Sequence, residues 1–153
     1  MATEIPAPNV VKVNGVWQIE GKPREEITIA GRFNPPSLPG KTIIVLSVLL
    51  PPSAATPPHK HNGATALAFP VTGRSTNAMN SDAAQTYGPG DFWYEGPGCH
   101  HRLSENASQS EEARFWAVLI VDDEVIGGRG GEEYGELVVL DKEVEVGERG
   151  ASR

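Results

Sequence analysis

Period-two alternation of apolar and polar residues dominates the chain. Glu26-Ile-Thr-Ile29 sets apolar side chains on alternate positions, as a half-buried strand does. Lys41 to Leu50 is the most apolar strand and is stopped by Pro51-Pro52. Val10-Val-Lys-Val13 and Val16-Trp-Gln-Ile19 flank Asn14-Gly15, which predicts a hairpin closed by a type I′ turn. Further strands are predicted over Thr65 to Thr72 (despite Pro70), Arg74 to Met79, Ala84 to Tyr87, Asp91 to Glu95, His100 to Ser104 and Arg114 to Val121. Asn80-Ser81-Asp82, Gly88-Pro89-Gly90 and Gly96-Pro97-Gly98 punctuate them, and a Pro-rich loop runs from Phe33 to Gly40. Glu136 to Leu140 and Glu143 to Val146 are later strand candidates, preceded by a glycine-rich loop from Gly127 to Gly131. Only Ser108 to Glu112 hints at a turn of helix, and the acidic run Asp122 to Glu124 reads as solvated loop.

Many short strands between turn signals predict an all-β sandwich or barrel. We expect one domain over residues 1–153, with the hairpin at about 10–19, a core barrel at about 26–122 and C-terminal strands at about 136–146. Composition agrees: Gly 17 and Pro 13 disfavour a helical bundle, and 39% hydrophobic residues are too many for disorder. A net charge of -7 counts against nucleic acid and anionic membranes as partners. The one cysteine, Cys99, excludes a disulfide framework or a cysteine-rich metal site. The longest nearly apolar run, Ile43 to Leu50, falls far short of the roughly 20 residues of a spanning helix. The start, Met1 to Pro6, lacks the basic and apolar regions of a secretory signal, so a cytoplasmic protein is expected. No phosphate loop, Gly-x-Ser-x-Gly elbow or dinucleotide fingerprint occurs.

The candidate chemistry lies in four histidines that fall in two pairs, His59-Lys60-His61 and His100-His101. In extended chain, residues two apart face the same way with Cα atoms roughly 6.5 Å apart, so His59 and His61 aim at one point. His100 and His101 face opposite ways, and one of them is free to join. Two convergent imidazoles and a third make an open site for Fe, Mn, Zn, Ni or Cu. Such a pair alone is unspecific, because surface His-x-His pairs are common.

The context is more specific. Pro57-Pro58-His59-Lys60-His61-Asn62-Gly63-Ala64, followed by a strand and Gly73, resembles the first motif of the cupin superfamily. Gly90-Asp91-Phe92-Trp93-Tyr94-Glu95-Gly96-Pro97-Gly98-Cys99-His100-His101 resembles the second. The resemblance implies a double-stranded β-helix, a jelly-roll-like barrel with its site inside, often dimeric; a homodimer is expected here. In the second motif the metal-binding histidine comes three residues after the glycine that follows proline, which implies His101 rather than His100. The first motif usually carries a glutamate ligand five positions after its second histidine, and here that position is Ala66. The usual proline is also replaced, by Gly96.

Three functional readings follow from Ala66. His59, His61 and His101 form a three-histidine metal site, serving oxygenase or lyase and isomerase chemistry on a small carbonyl, enolate or aromatic substrate. Alternatively, the barrel is metal-free and runs acid–base chemistry with histidine and tyrosine, or it is a non-catalytic small-molecule binder. Around the second motif, Trp93 and Glu95 share one face and Phe92 and Tyr94 the other. A buried Glu95 would serve as general base or replacement ligand; an outward one is an ordinary strand carboxylate. Tyr94 is a candidate donor to substrate, and Gln85, Trp93 and Trp116 are candidates for the substrate wall. Cys99 reads as an incidental thiol, because no base accompanies it.

Overall fold

Among the described residues the alternation resolves into two five-stranded antiparallel sheets and one separate hairpin. The computed structural model describes residues 5–126 and 137–141. In chain order the strands are β1 (Val10–Val13), β2 (Val16–Ile19), β3 (Glu26–Phe33), β4 (Lys41–Leu50), β5 (His59–Lys60) and β6 (Thr65–Thr72). There follow β7 (Ser75–Met79), β8 (Gln85–Tyr87), β9 (Trp93–Glu95), β10 (His101–Asn106), β11 (Ala113–Asp122), a short helix α1 (Asp123–Ile126) and β12 (Val139–Leu140). One sheet has the order β3-β4-β11-β6-β9, the other β12-β5-β10-β7-β8, and β1-β2 stands alone.

The hairpin forms as expected: Asn14 (φ 50°) and Gly15 (φ 81°) both take the left-handed conformation that a type I′ turn requires. β4 is the spine of the first sheet, paired with β11 without a break from Lys41↔Asp122 to Leu50↔Ala113. Its alternate residues Ile44, Leu46, Val48 and Leu50 point inward and meet Leu119 and Val121 of β11 in the core cluster. Inward positions elsewhere carry alanine: Ala66 and Ala68 on β6, Ala117 on β11. These short side chains leave room between the sheets, and all three line a cavity there. The crossing from β6 to β7 depends on Gly73 (φ +69°), where a Cβ would lie 2.8 Å from the Ala113 Cβ.

Three expectations require correction. β3 runs on to Phe33, through an irregularity between Ile29 and Gly31, where the sequence suggested an end near Ile29. Ser108 to Glu112 forms no helix; the Ser108 hydroxyl instead accepts the Ser110 and Glu111 amides at 3.1 and 3.0 Å. The acidic run is not loop either. Asp122 ends β11 opposite Lys41, while Asp123 opens α1 and accepts the Thr42 hydroxyl at 2.5 Å. A carboxylate suits a helix start, and the inward Ile126, 2% exposed, anchors the turn. Of the C-terminal strands only Val139–Leu140 is seen, while Gly127 to Gly131 and Glu143 to Val146 lie outside the described residues. Among the described residues no helix is long and apolar enough to cross a membrane.

Candidate metal centre

His101 is the first residue of β10 and sits directly opposite His59 of β5. Opposed residues of an antiparallel pair project from the same face. His61, two residues beyond His59, joins them there. Ring centroids are 4.8 Å apart for His59 and His61, and 4.9 Å for His59 and His101. One ring nitrogen from each of the three lies within 4.8 Å of the others. His100 points away and contacts both Asp141 carboxylate oxygens at 3.0 Å, so counting from Gly98 identifies the inward histidine correctly.

Each imidazole is held from behind by an acceptor. His59 Nδ1 donates to the Pro57 carbonyl at 2.8 Å, and His61 Nδ1 to the Leu137 carbonyl at 2.7 Å. His101 Nε2 donates to Asn77 Oδ1 at 2.7 Å. A neutral ring held this way turns its other nitrogen, a lone pair, toward the centre. A fourth group meets them. Glu95 of β9 is 4% exposed, with Oε1 3.1 Å from His61 Nε2 and 3.2 Å from His101 Nδ1. Its other oxygen, Oε2, accepts the Trp93 indole N–H at 3.1 Å. Glu95 Oε1 and His101 Nδ1 are both fully buried and without a hydrogen-bond partner. Electron-pair donors converging without donors to match them suit a cation, and imidazole with carboxylate suits a divalent transition metal.

Burial and the charge balance tune these groups. Burial drives His59 well below its ordinary pKa, and neighbouring His101 and His61 push it the same way. Burial also lowers His61, yet its contact with Glu95 outweighs that and leaves the imidazole raised. For Glu95, burial favours the neutral acid, but His101 and His61 hold it well below the usual carboxylate range.

The histidines open onto a cavity of about 60 Å³ walled by Leu46, Val48, Trp93, Phe115 and Leu137. At its rim Glu25 is neutralised by Arg24, whose Nε and Nη2 donate to its two oxygens at 2.8 and 2.9 Å, and it accepts Thr56 Oγ1 at 2.6 Å. Trp93 and Glu95 thus face the cavity. Tyr94, by the same alternation, faces outward and is 57% exposed, which deprives the metal-free acid–base reading of its tyrosine. Trp116 is also outward, 41% exposed, because the inward residues of β11 are Phe115 and Ala117. Gln85 is the register partner of Asn77 but lies on edge strand β8, one strand too far out, where it accepts the Tyr87 hydroxyl at 3.1 Å. Cys99 is half-buried, its thiol raised by burial. The sequence reading missed Asn77. Its signal was available: Ser75 and Asn77 are polar residues at alternate positions of one strand, and both are buried.

A family model described as Cupin domain matches residues 46–121. The chain belongs to the cupin superfamily. Solved structures similar to this cupin include TT1209 from Thermus thermophilus, at 18% identity and a TM-score of 0.51, covering 63% of this chain and 82% of that one. KdgF from Halomonas sp. aligns at 16% identity and a TM-score of 0.50, covering 66% of this chain and 81% of its own. An oxalate oxidase in complex with the substrate analogue glycolate aligns at 17% identity and a TM-score of 0.49, covering 67% of this cupin. The cupin spans 58% of that oxidase chain. At these identities the likeness concerns the fold, the double-stranded β-helix. No curated protein matches the chain. The fold and the three-histidine cluster together fit a metal-binding cupin.

Proposed function

We propose that this cupin is a metal-dependent enzyme acting on a small, largely apolar organic molecule that carries a carbonyl, enolate or aromatic oxygen. The observation that carries this reading is the convergence of His59, His61 and His101 within 4.8 Å at an apolar cavity. When bound, a divalent ion supplies Lewis-acid polarisation of an oxygen, or positions at which O2 reacts, which makes oxygenase or lyase and isomerase chemistry the expected type. The chain's own residues do the rest. The Pro57 and Leu137 carbonyls and Asn77 fix the imidazole tautomers, and Trp93 holds Glu95 in place. Among the described residues no lysine or arginine lines the cavity, so the histidine centre is the place for the substrate's negative charge. Leu46, Val48 and Phe115 exclude water and receive the apolar remainder. At about 60 Å³, where one water needs ~10–15 Å³ on such a measure, the space suits a molecule of a few heavy atoms. The test is metal analysis of untagged protein, followed by turnover of small enolisable carbonyl and aromatic compounds in air and under nitrogen. Stoichiometric metal and turnover that chelator abolishes are expected. Substoichiometric metal, with no loss of stability on adding chelator, would overturn the reading.

A second copy of the chain is the partner that the outer face of the first sheet favours. There Phe69 and Trp116 are cross-strand partners, and Phe92 lies with its ring centroid 6.3 Å from that of Phe69. These three and Tyr94 are 41 to 59% exposed, an aromatic face that a second copy would cover. A homodimer by sedimentation, converted to monomer by Trp116→Glu, is the expected result. The lone thiol of Cys99 is compatible with the reducing cytoplasm.

A further inference from the structure

We infer that the fourth metal ligand of this cupin has moved across a strand pair: Glu95 of β9 takes the part of the carboxylate missing at Ala66 of β6. The inference rests on the metal-site reading above and deepens it. Ala66 and Glu95 are direct register partners in the antiparallel β6–β9 pair. Their side chains therefore leave the sheet side by side, one strand spacing of ~4.8 Å apart, on the face that lines the cavity. A carboxylate rooted at 95 reaches the same space as one rooted at 66. Only one is tolerable, since two glutamates there would crowd each other and repel.

Three further observations make Glu95 a ligand in waiting rather than a buried structural acid. Its Oε1 has no hydrogen-bond partner although it is buried. That same oxygen lies within 3.2 Å of nitrogens from two of the three histidines. The other oxygen is tied by Trp93 Nε1, which fixes the carboxylate's rotation and leaves Oε1 as the free donor. The resulting set is three imidazoles and one monodentate carboxylate, with its charge supplied from a different strand.

Cobalt(II) titration of the purified full chain tests this, because the visible spectrum reports coordination and calorimetry reports affinity without any substrate. Glu95→Gln keeps the shape and the Trp93 contact while removing the anionic donor. It should weaken cobalt binding at least about 100-fold, beyond what loss of a merely supporting group costs, and change the d–d bands. Ala66→Glu combined with Glu95→Ala should restore binding to within about tenfold of the parent. Glu95→Gln with parental affinity and an unchanged spectrum, while His59→Ala loses the metal, would overturn the ligand assignment and leave the three-histidine site standing. A parent protein that takes up no cobalt would overturn both.

Discussion

The two sheets of this cupin are built on opposite terms. β4 and β11 are ten residues each, pair without interruption and bury mostly aliphatic side chains at alternate positions, among them Ile44, Leu46, Val48, Leu50, Leu119 and Val121. In the other sheet β5, β8 and β12 have two or three residues each, and the buried positions of β5, β7 and β10 include His59, Ser75, Asn77 and His101. Hydrophobic burial sustains the first sheet, at roughly 25 cal/mol per Å² of apolar surface removed from water. The second buries groups that cost free energy unless they are partnered. The long sheet is the platform that fixes the geometry. The short one carries the histidines, and Glu95 reaches them from β9 at the edge of the long sheet.

Three variants or conditions break the contrast, in descending order of effect. His101→Ala should abolish metal occupancy, a loss of at least about 1,000-fold in affinity, or ~4 kcal/mol, while the chelated protein melts close to the parent. His100→Ala, one residue away, should leave occupancy intact. Metal analysis and thermal melts with and without chelator check both. Ile44→Ala, at a fully buried position of β4, should do the reverse, costing about 2–5 kcal/mol in urea unfolding with metal stoichiometry unchanged in the folded fraction.

Acidification of the metal-free protein has the smallest effect and falls on the second sheet. His59 is lowered in the folded state, so below its unfolded value of about 6.5 the unfolded chain takes up a proton that the folded one refuses. Stability therefore falls as pH drops below about 6.5, by at most ~1.4 kcal/mol per pH unit for this group. The raised His61 adds stability that is fully present below that pH and is lost only at higher pH, so it does not cancel the slope. Melts at pH 6.5 and 5.5 in chelator check the sign, and His59→Gln should flatten it.

The same contrast decides what could be read from the sequence. β4 and β6 begin and end where the alternation and the prolines indicate, because burial on a regular pleat writes itself into every second residue. The hairpin was legible for a different reason: Asn14-Gly15 suits few other conformations. Of the site, His59 and His61 were legible from local spacing, and His101 from the motif resemblance that places it three residues after Gly98. The place of Glu95 was not, since its meeting with His61 and His101 depends on pairing between strands distant in sequence. Trp116 went astray by one residue of register, which in a strand means the opposite face. Gln85 had the right face but stands on an edge strand, a matter of sheet order that local pattern does not encode.

His61 leans on a carbonyl 76 residues further along the chain, that of Leu137. Leu137 also walls the cavity, and β12 beside it is the edge partner of β5. A nascent chain that has emerged only as far as Val121 already owns all three histidines and Glu95, yet not the group that orients His61. The centre is thus completed late in synthesis, after the platform sheet has all its strands.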